Sequence, residues 1–516
     1  MPMFNAAEWL VDRHVRDGRG DRVAVRCQGV TTTYAELQTE LWRTQNLLAE
    51  LGVEQGERVA MVVPDDATFP AIFLGAQRSG IVPVPLSTML RGRALGEIVA
   101  DSGARTLAIS NAFVSAIPEL LAAAPAVDQV IALGDINAIA SAVGDRAAVH
   151  DWSSIDEVNE APIADTTNDS IALWLYSSGT TGTPKGVMHL HGSVKATVDT
   201  YAMDVLGITE NDRFLSVAKL FFAYGLGNSL TFPFAVGATA ILNPDPPTPR
   251  AMLTLIEDEQ PTLFFSSPGF CAALLDAKPD QGAFDSVRAT VTAGESLPAN
   301  VHQRFSALTG TPVLDGIGST ELLHIFISNT MERQTSGSSG EMVPGYIAEL
   351  RDDNDNPVVD PDTPGYLHVH GPSTAVGYWQ KAEATANAFR DGWVRTGDVY
   401  TRSADDTWTF LGRNTDMIKA GGIWVSPAEV ENVLIEHDSV LEAAVVGGRD
   451  EQGLEQTVAF VLPASGWAPD ADELIQHCRD RMASFKRPRR VIIVDELPKT
   501  ATGKIKRFEL RQSLDN

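Results

Sequence analysis

Tyr176-Ser177-Ser178-Gly179-Thr180-Thr181-Gly182-Thr183-Pro184-Lys185-Gly186 is the stretch on which the fold reading turns. The hydroxyls of Ser177, Ser178, Thr180 and Thr181 and three glycines share this short run, with a lysine near its end. Glycines let backbone N–H groups turn toward an anion, hydroxyls add donors and Lys185 adds charge, so the run reads as a phosphate loop. It follows an apolar, strand-like segment, residues 171–176, and is expected to lead into a helix starting near His191. The order differs from the P-loop GxxxxGK[ST], because Lys185 is followed by Gly186; a mononucleotide kinase or GTPase site is not expected. A flexible Ser/Thr/Gly linker is the bland alternative. The Pro184-Lys185 stop and the periodic flanks argue for a fixed loop.

A chain of 516 residues exceeds one ordinary core, so two or more domains are expected. Apolar residues at 44% and charged residues at 21% fit a globular enzyme. Forty Lys+Arg against 67 Asp+Glu leave a net charge of −27, which repels nucleic acid and anionic membrane; neither is an expected partner. Polyphosphates are repelled too, so a site for them needs local neutralisation. Cys27, Cys271 and Cys478 have no metal or redox spacing, which suits a reducing cytoplasm. The first residues lack a basic segment followed by an apolar one, and no run approaches eighteen apolar residues, so neither a signal peptide nor a membrane span is expected.

Residues 4 to about 165 alternate helix-like and strand-like pieces: an amphipathic run from Thr33 through Leu51, buried-strand text at 58–64 and 81–86, and a helix at 69–80. Such alternation implies parallel α/β layers. Strands are also expected at 238–242, 262–266 and 289–292. From Gly340 short strands and turns suggest a β-rich subdomain, and a small α/β unit runs from about Asn414 to the end.

Further motifs follow in order: Ala293-Gly294-Glu295-Ser296-Leu297-Pro298, Asp315-Gly316-Ile317-Gly318-Ser319-Thr320-Glu321, Thr396-Gly397-Asp398, Gly412-Arg413 through Lys419 and Gly421-Gly422, and Pro498-Lys499-Thr500-Ala501-Thr502-Gly503-Lys504. A Thr-Glu pair alone is a common helix start, and a turn aspartate is ordinary. In this order, and with the phosphate loop, they resemble the signatures of the adenylate-forming superfamily: acyl-CoA synthetases, luciferases and the adenylation domains of peptide synthetases. The resemblance spans nearly the whole chain.

The resemblance implies a large N-terminal domain of layered α/β subdomains plus a β-rich subdomain, residues 1–413. A small mobile α+β domain, residues 414–516, would follow a hinge near Asn414-Thr415. It implies that Ser177, Ser178, Gly179, Thr180, Thr181, Gly182 and Lys185 hold phosphate, and that Thr320 bonds phosphate while Glu321 holds Mg²⁺. Gly294, Glu295, Asp315, Gly316 and Ile317 would border the adenine, and Asp398 would take the ribose hydroxyls, a vicinal diol matching two carboxylate oxygens. Arg413 would touch the ribose region, Lys504 would act during adenylation, and Lys419, Gly421 and Gly422 would serve the acceptor thiol. Ile317 stands where many relatives carry an aromatic residue, and Thr415 where many carry an aspartate.

The segment Lys219-Leu220-Phe221-Phe222-Ala223-Tyr224-Gly225 and the run Glu321 to Phe326 look like the benzoate-CoA ligase branch. On that likeness Ala223, Tyr224, Gly225, Gly318, His324 and Ile325 would surround an aromatic or alicyclic acid. His324 would share a face with Glu321 if the segment is helical; a satisfied core histidine is the alternative. His368 and His370 have a spacing seen in metal sites but no accompanying ligand cluster, so structural histidines are expected. Residues 486–511 hold nine cations against three acids, either a solvated basic face or a local field for phosphates.

The implied function is an AMP-forming acid–thiol ligase using ATP, Mg²⁺ and coenzyme A, with the small domain alternating between two half-reactions. An enzyme loading a phosphopantetheine carrier protein, a luciferase-like oxygenase and an inactive nucleotide-binding regulator are the rival readings. Oligomeric state is left open.

Overall fold

Thr33 shows how the sequence starts its elements. Its hydroxyl accepts the Glu36 N–H while the Glu36 carboxylate accepts the Thr33 N–H, a capping box that launches the helix Tyr34–Glu50. The computed structural model describes residues 2–155, 158–177, 184–280, 282–420, 423–449, 455–499 and 505–515. The chain forms two compact units: Met1–Phe265, Gly318–Ile325 and Gly371–Val394 make the first, and Ser266–Ile317, Phe326–His370 and Arg395–Asn516 the second.

In the first unit a five-stranded sheet runs Val82–Pro85, Arg58–Val62, Thr106–Ser110, Gln129–Leu133, Ala148–Asp151. Every neighbouring pair is parallel, as the alternating text requires, because a parallel pair needs a crossover that a helix supplies. Its central strands are apolar between their ends, with Ala60, Val62, Leu107, Ile109 and Val130 buried, the pattern of a parallel sheet covered on its faces. A second sheet joins Arg213–Ser216 in parallel to Thr239–Leu242 and Leu263–Ser266, and Thr239–Leu242 to Val23–Cys27.

Both flanks expected around residues 176–186 are present, with one element more. The strand Ile171–Ser177 is followed by a second strand, Lys185–Leu190, pairing with it antiparallel, and only then by the helix His191–Thr197. The run therefore closes a hairpin whose neck is the pair Ser177 and Lys185. Val187 and His189 are buried and Met188 and Leu190 half-buried, the period-2 alternation of a strand, and the helix starts at His191 as expected. The two-residue strand Gly377–Tyr378 adds to the free edge of this hairpin.

In the second unit Ala289–Thr292 and Val313–Gly318 run parallel with Thr292 beside Asp315. Antiparallel pairs, Ile347–Arg351 with Gly365–His370 and Trp393–Arg402 with Trp408–Arg413, make the β-rich part. Towards the C-terminus Val440–Arg449, Glu455–Pro463 and Arg490–Ile493 form a sheet packed by Pro427–Ile435, Ala471–Arg479 and Arg507–Asp515. No described helix is long and apolar enough to cross a membrane.

Two buried polar groups set measurable properties. Arg78 is buried and donates to the Asp12 carboxylate, to Gln45 Oε1 and to the Ala161 carbonyl. Removing the anion leaves an uncompensated buried guanidinium, so Asp12→Ala is expected to lower unfolding free energy by about 3–5 kcal/mol in denaturant titrations. Asp315 is buried and accepts the Thr292 hydroxyl at 2.7 Å; burial pushes its carboxyl up to about 7. The folded state therefore holds this proton more tightly than the unfolded chain, and the associated stability, on the order of a few kcal/mol, is present below pH 4 and lost as pH rises towards 7. Asp315→Asn is expected to remove that part of the pH dependence of unfolding, read by thermal melts across the range.

Candidate active site

The strand edge at Gly377–Tyr378 assembles one cluster in the first unit. Gly377 pairs with Met188 and Tyr378 with Val187, and the Trp379 N–H donates to the Gly186 carbonyl. Tyr378 is thereby held so that its hydroxyl donates to Glu321 Oε1 at 2.8 Å, while Lys185 Nζ stands 4.9 Å from the centre of its ring. Burial, and then the Glu321 charge, raise the Tyr378 phenol, so it remains a donor. The Ala375 N–H donates to the Glu321 carbonyl, and Ser373 Oγ donates to the Leu322 carbonyl. His189, buried and neutral with its pKa near 4, bonds the Thr320 carbonyl at 2.7 Å through Nε2. The Thr320-Glu321 pair is thus fixed along its main chain from the hairpin and from residues 373–378. Tyr378, His189 and Ser373 carry no local signature, so sequence reasoning did not single them out.

Beside this pair Ser319 Oγ is buried without a hydrogen-bond partner, an orphan donor of the kind a phosphate oxygen satisfies. Among the described residues no group of three or more His, Cys, Asp or Glu could hold a metal ion. A lone carboxylate nevertheless suits Mg²⁺, which keeps water and substrate phosphate as its other ligands.

Ala223, Tyr224 and Gly225 begin the helical turn Ala223–Leu226. A side chain at Gly225 would meet the Lys219 carbonyl at 2.0 Å, so only glycine lets this turn close over the preceding residues. Asp65, buried, accepts the Leu220 N–H at 3.1 Å and anchors the segment. A small, mostly apolar cavity is lined by Ala223, Leu226, Gly227, Thr231, Leu323 and His324 among others. His324 is buried, 4.4 Å between ring centres from Phe232, 5.4 Å from Tyr201 and 5.5 Å from Tyr224. Gly318 passes against the His324 main chain, where a Cβ would stand 2.6 Å from its carbonyl oxygen. Ile325 is buried at the start of the strand Ile325–Ser328.

His324 does not share a helical face with Glu321. Only Thr320–Leu322 form a short turn, Leu323 takes a positive φ of 65°, and a strand follows. His324 reaches the cavity because the chain reverses at Leu323, not through helical spacing.

The second unit carries the other expected contacts. Asp398 and Arg413 face each other across their strand pair, with Arg413 Nε 3.0 Å from Asp398 Oδ1. Arg413 also donates to the Thr396 carbonyl, and the Thr396 hydroxyl accepts the Asp398 N–H. Gly294 sits at φ 98°, which favours glycine, and precedes Glu295. Asp315 is buried under Thr292, with Gly316 and Ile317 continuing its strand. His368 is buried and His370 exposed; His368 Nδ1 faces the Tyr366 carbonyl.

Five of the nine cations of the basic run face carboxylates. Lys486 pairs with Glu429, Lys499 with Glu442, Lys506 with Glu509, Arg507 with Glu431 and Arg511 with Asp416. Ser178, Gly179, Thr180, Thr181, Gly182, Gly421, Gly422, Lys504 and the Lys419 side chain lie outside the described residues.

The AMP-binding enzyme family model matches residues 11–379, and the model of the AMP-binding enzyme C-terminal domain matches residues 429–504. Benzoate--CoA ligase of Thauera aromatica is 40% identical over 99% of this chain and 96% of its own length. The 4-hydroxybenzoate--CoA/benzoate--CoA ligase of Rhodopseudomonas palustris is 40% identical over 99% and 95%. Among solved structures, a benzoate CoA ligase from Burkholderia xenovorans LB400 superposes with a TM-score of 0.90 at 40% identity, covering 99% of this chain and 100% of that one. The anthranilate CoA ligase AuaEII in complex with anthranoyl-AMP gives 0.92 at 34% identity, covering 100% and 98%. With its mixed α/β elements and both family matches in order, the chain belongs to the AMP-binding enzyme family, the adenylate-forming group that its motifs resemble.

Proposed function

We propose that this protein is an ATP-dependent ligase that joins an aromatic, benzoate-like carboxylic acid to coenzyme A through an acyl-adenylate. The observation that carries the reading is the apolar cavity between Ala223 and His324, built in the same unit as the fixed Thr320-Glu321 pair. The likeness to benzoate- and hydroxybenzoate-CoA ligases over the whole chain supports it.

In the first half-reaction an oxygen of the acid attacks the α-phosphorus of ATP and pyrophosphate leaves. In the second the CoA thiolate attacks the acyl carbon and AMP leaves. A carboxylate lacks a leaving group, which is why activation precedes thioester formation. Thr320 and the orphan Ser319 hydroxyl offer donors to phosphate oxygens, and Ser177 and Lys185 brace the loop Ser178 to Gly182, whose hydroxyls hold the leaving pyrophosphate. Glu321, its carboxylate oriented by Tyr378, would hold Mg²⁺, which neutralises charge on the phosphates. Asp398 receives the ribose hydroxyls with Arg413 beside it, and Gly294, Glu295, Asp315, Gly316 and Ile317 border the adenine. Ala223, Tyr224, Gly225, Gly318, His324 and Ile325 shape the acyl site. Lys504 stabilises charge during adenylation only.

We read residues 414–516 as a domain that turns about Asn414-Thr415, bringing Lys504 in the first step and Lys419 with Gly421-Gly422 in the second. The three free cysteines fit a cytoplasmic enzyme.

Pyrophosphate release measured over aryl, alicyclic and fatty acids, with CoA and with a pantetheinylated carrier protein offered in turn, tests the reading. Aryl acids should release pyrophosphate and yield the CoA thioester; release with no aryl acid would overturn it, and transfer to the carrier alone would redirect it. Lys504→Ala should lose on the order of 100-fold or more in adenylation yet still convert supplied acyl-AMP and CoA to thioester. Equal loss in both half-reactions would remove Lys504 from its assigned role.

A further inference from the structure

Asp101 ties together the two segments that flank the strand carrying Lys185, a contact that the reaction above leaves unused. Lys185–Leu190 is the middle strand of three, with Ile171–Ser177 on one side and Gly377–Tyr378 on the other. Successive side chains on a strand face opposite ways. Lys185, Val187 and Tyr378 therefore share one face, the one from which Tyr378 reaches Glu321. Trp174, Tyr176, Met188 and Trp379 take the other, and pack there on a core that includes Leu95, Ile98 and Val99 of the helix Gly92–Ser102.

Asp101 sits in the last turn of that helix. Its Oδ2 accepts the Tyr176 hydroxyl at 2.9 Å and its Oδ1 the Lys381 ammonium at 2.6 Å, so one carboxylate holds both flanks. Burial, and then the Asp101 charge, raise the Tyr176 phenol, which keeps it a donor. The C-terminal end of a helix is the negative end of its dipole and a poor place for an acid. Arg58 offsets this, donating to the Ser102 and Gly103 carbonyls at 3.1 and 3.0 Å. The same guanidinium lies 5.6 and 5.3 Å from the ring centres of Trp174 and Trp379, which are 4.6 Å from each other. Gly186 leaves room for the Tyr176 ring, since a Cβ there would stand 3.2 Å from Cζ. Aromatic packing and a charged hydrogen bond thus grip the hairpin from behind, one residue from its neck at Ser177 and Lys185.

We propose that Asp101 is a positioning residue for adenylation. Holding Tyr176 and Lys381 from the rear, it fixes the strand between them, and with it the places of Lys185 and of the Tyr378–Glu321 contact relative to the pyrophosphate part of ATP. The inference rests on the ligase reading and adds to it a residue that touches no substrate. Groups that meet a reacting phosphate lose much of their effect when displaced by about 1 Å, even by a change far from the chemistry.

Calorimetry on the full-length protein compares Mg–ATP with AMP, which lacks the pyrophosphate. Asp101→Ala and Tyr176→Phe should each weaken Mg–ATP roughly tenfold and leave AMP affinity unchanged, whereas a merely structural role would move both nucleotides together. The double variant should bind Mg–ATP as Asp101→Ala does, because the Tyr176 hydroxyl acts through Asp101. In pyrophosphate release the KM for ATP should rise by a similar factor. The KM for the aromatic acid, and the conversion of supplied acyl-AMP and CoA to thioester, should hold at wild-type values. If Asp101→Ala does not fold, Tyr176→Phe, which removes one oxygen and keeps the ring, decides alone. Unchanged Mg–ATP affinity, equal weakening of ATP and AMP or of ATP and acid, or losses that add in the double variant overturn the proposal and leave the ligase reading intact. A wild type that releases pyrophosphate with no aromatic acid overturns both.

Discussion

Two main-chain pairings, Gly377 with Met188 and Tyr378 with Val187, are the constraint on which the described half of the site depends. A strand edge offers unpaired N–H and C=O groups, and a segment distant in sequence satisfies them here. Because pairing fixes register, it also fixes where the next side chain points. Tyr378 is delivered between Lys185 and Glu321, and the same segment supplies Ala375 and Ser373 to the main chain around Glu321 and Leu322. A short edge strand thus does what a longer catalytic loop would do less rigidly.

In each unit several buried polar groups are shifted towards their neutral forms. His189 and His324 are held far below the ordinary imidazole range and Asp315 well above the carboxylate range. Such groups act as fixed hydrogen-bond partners whose protonation does not change near neutral pH for the histidines. Charge is confined to groups with oriented partners: Glu321 under the Tyr378 hydroxyl and Asp398 beside Arg413.

The sequence made the layered α/β class legible because its strands are continuous apolar runs alternating with helices. It also carried the ordered motifs that mark the AMP-binding enzyme family, since each is a short local run of residues. The hairpin strand Lys185–Leu190 was not singled out because its alternation is only a few residues long and runs directly into the helix that starts at His191. The reversal at Leu323 was hidden because a positive φ on leucine has no compositional sign. Tyr378, His189 and Asp101 were invisible for a different reason: each acts through a partner remote in the chain, and one sequence records no such pairing.

The ion pairs of the C-terminal segment have a kinetic side. Read as text, residues 486–511 are a block of positive charge, yet Lys486, Lys499, Lys506, Arg507 and Arg511 each face a carboxylate. A pair of opposite charges a few ångströms apart is a dipole, whose field fades within about one Debye length, roughly 8 Å in physiological salt. A polyanionic molecule approaching this face is therefore not drawn in from afar. With the chain's net charge of −27 opposing its approach at long range, its encounter rate should rise as salt screens that repulsion.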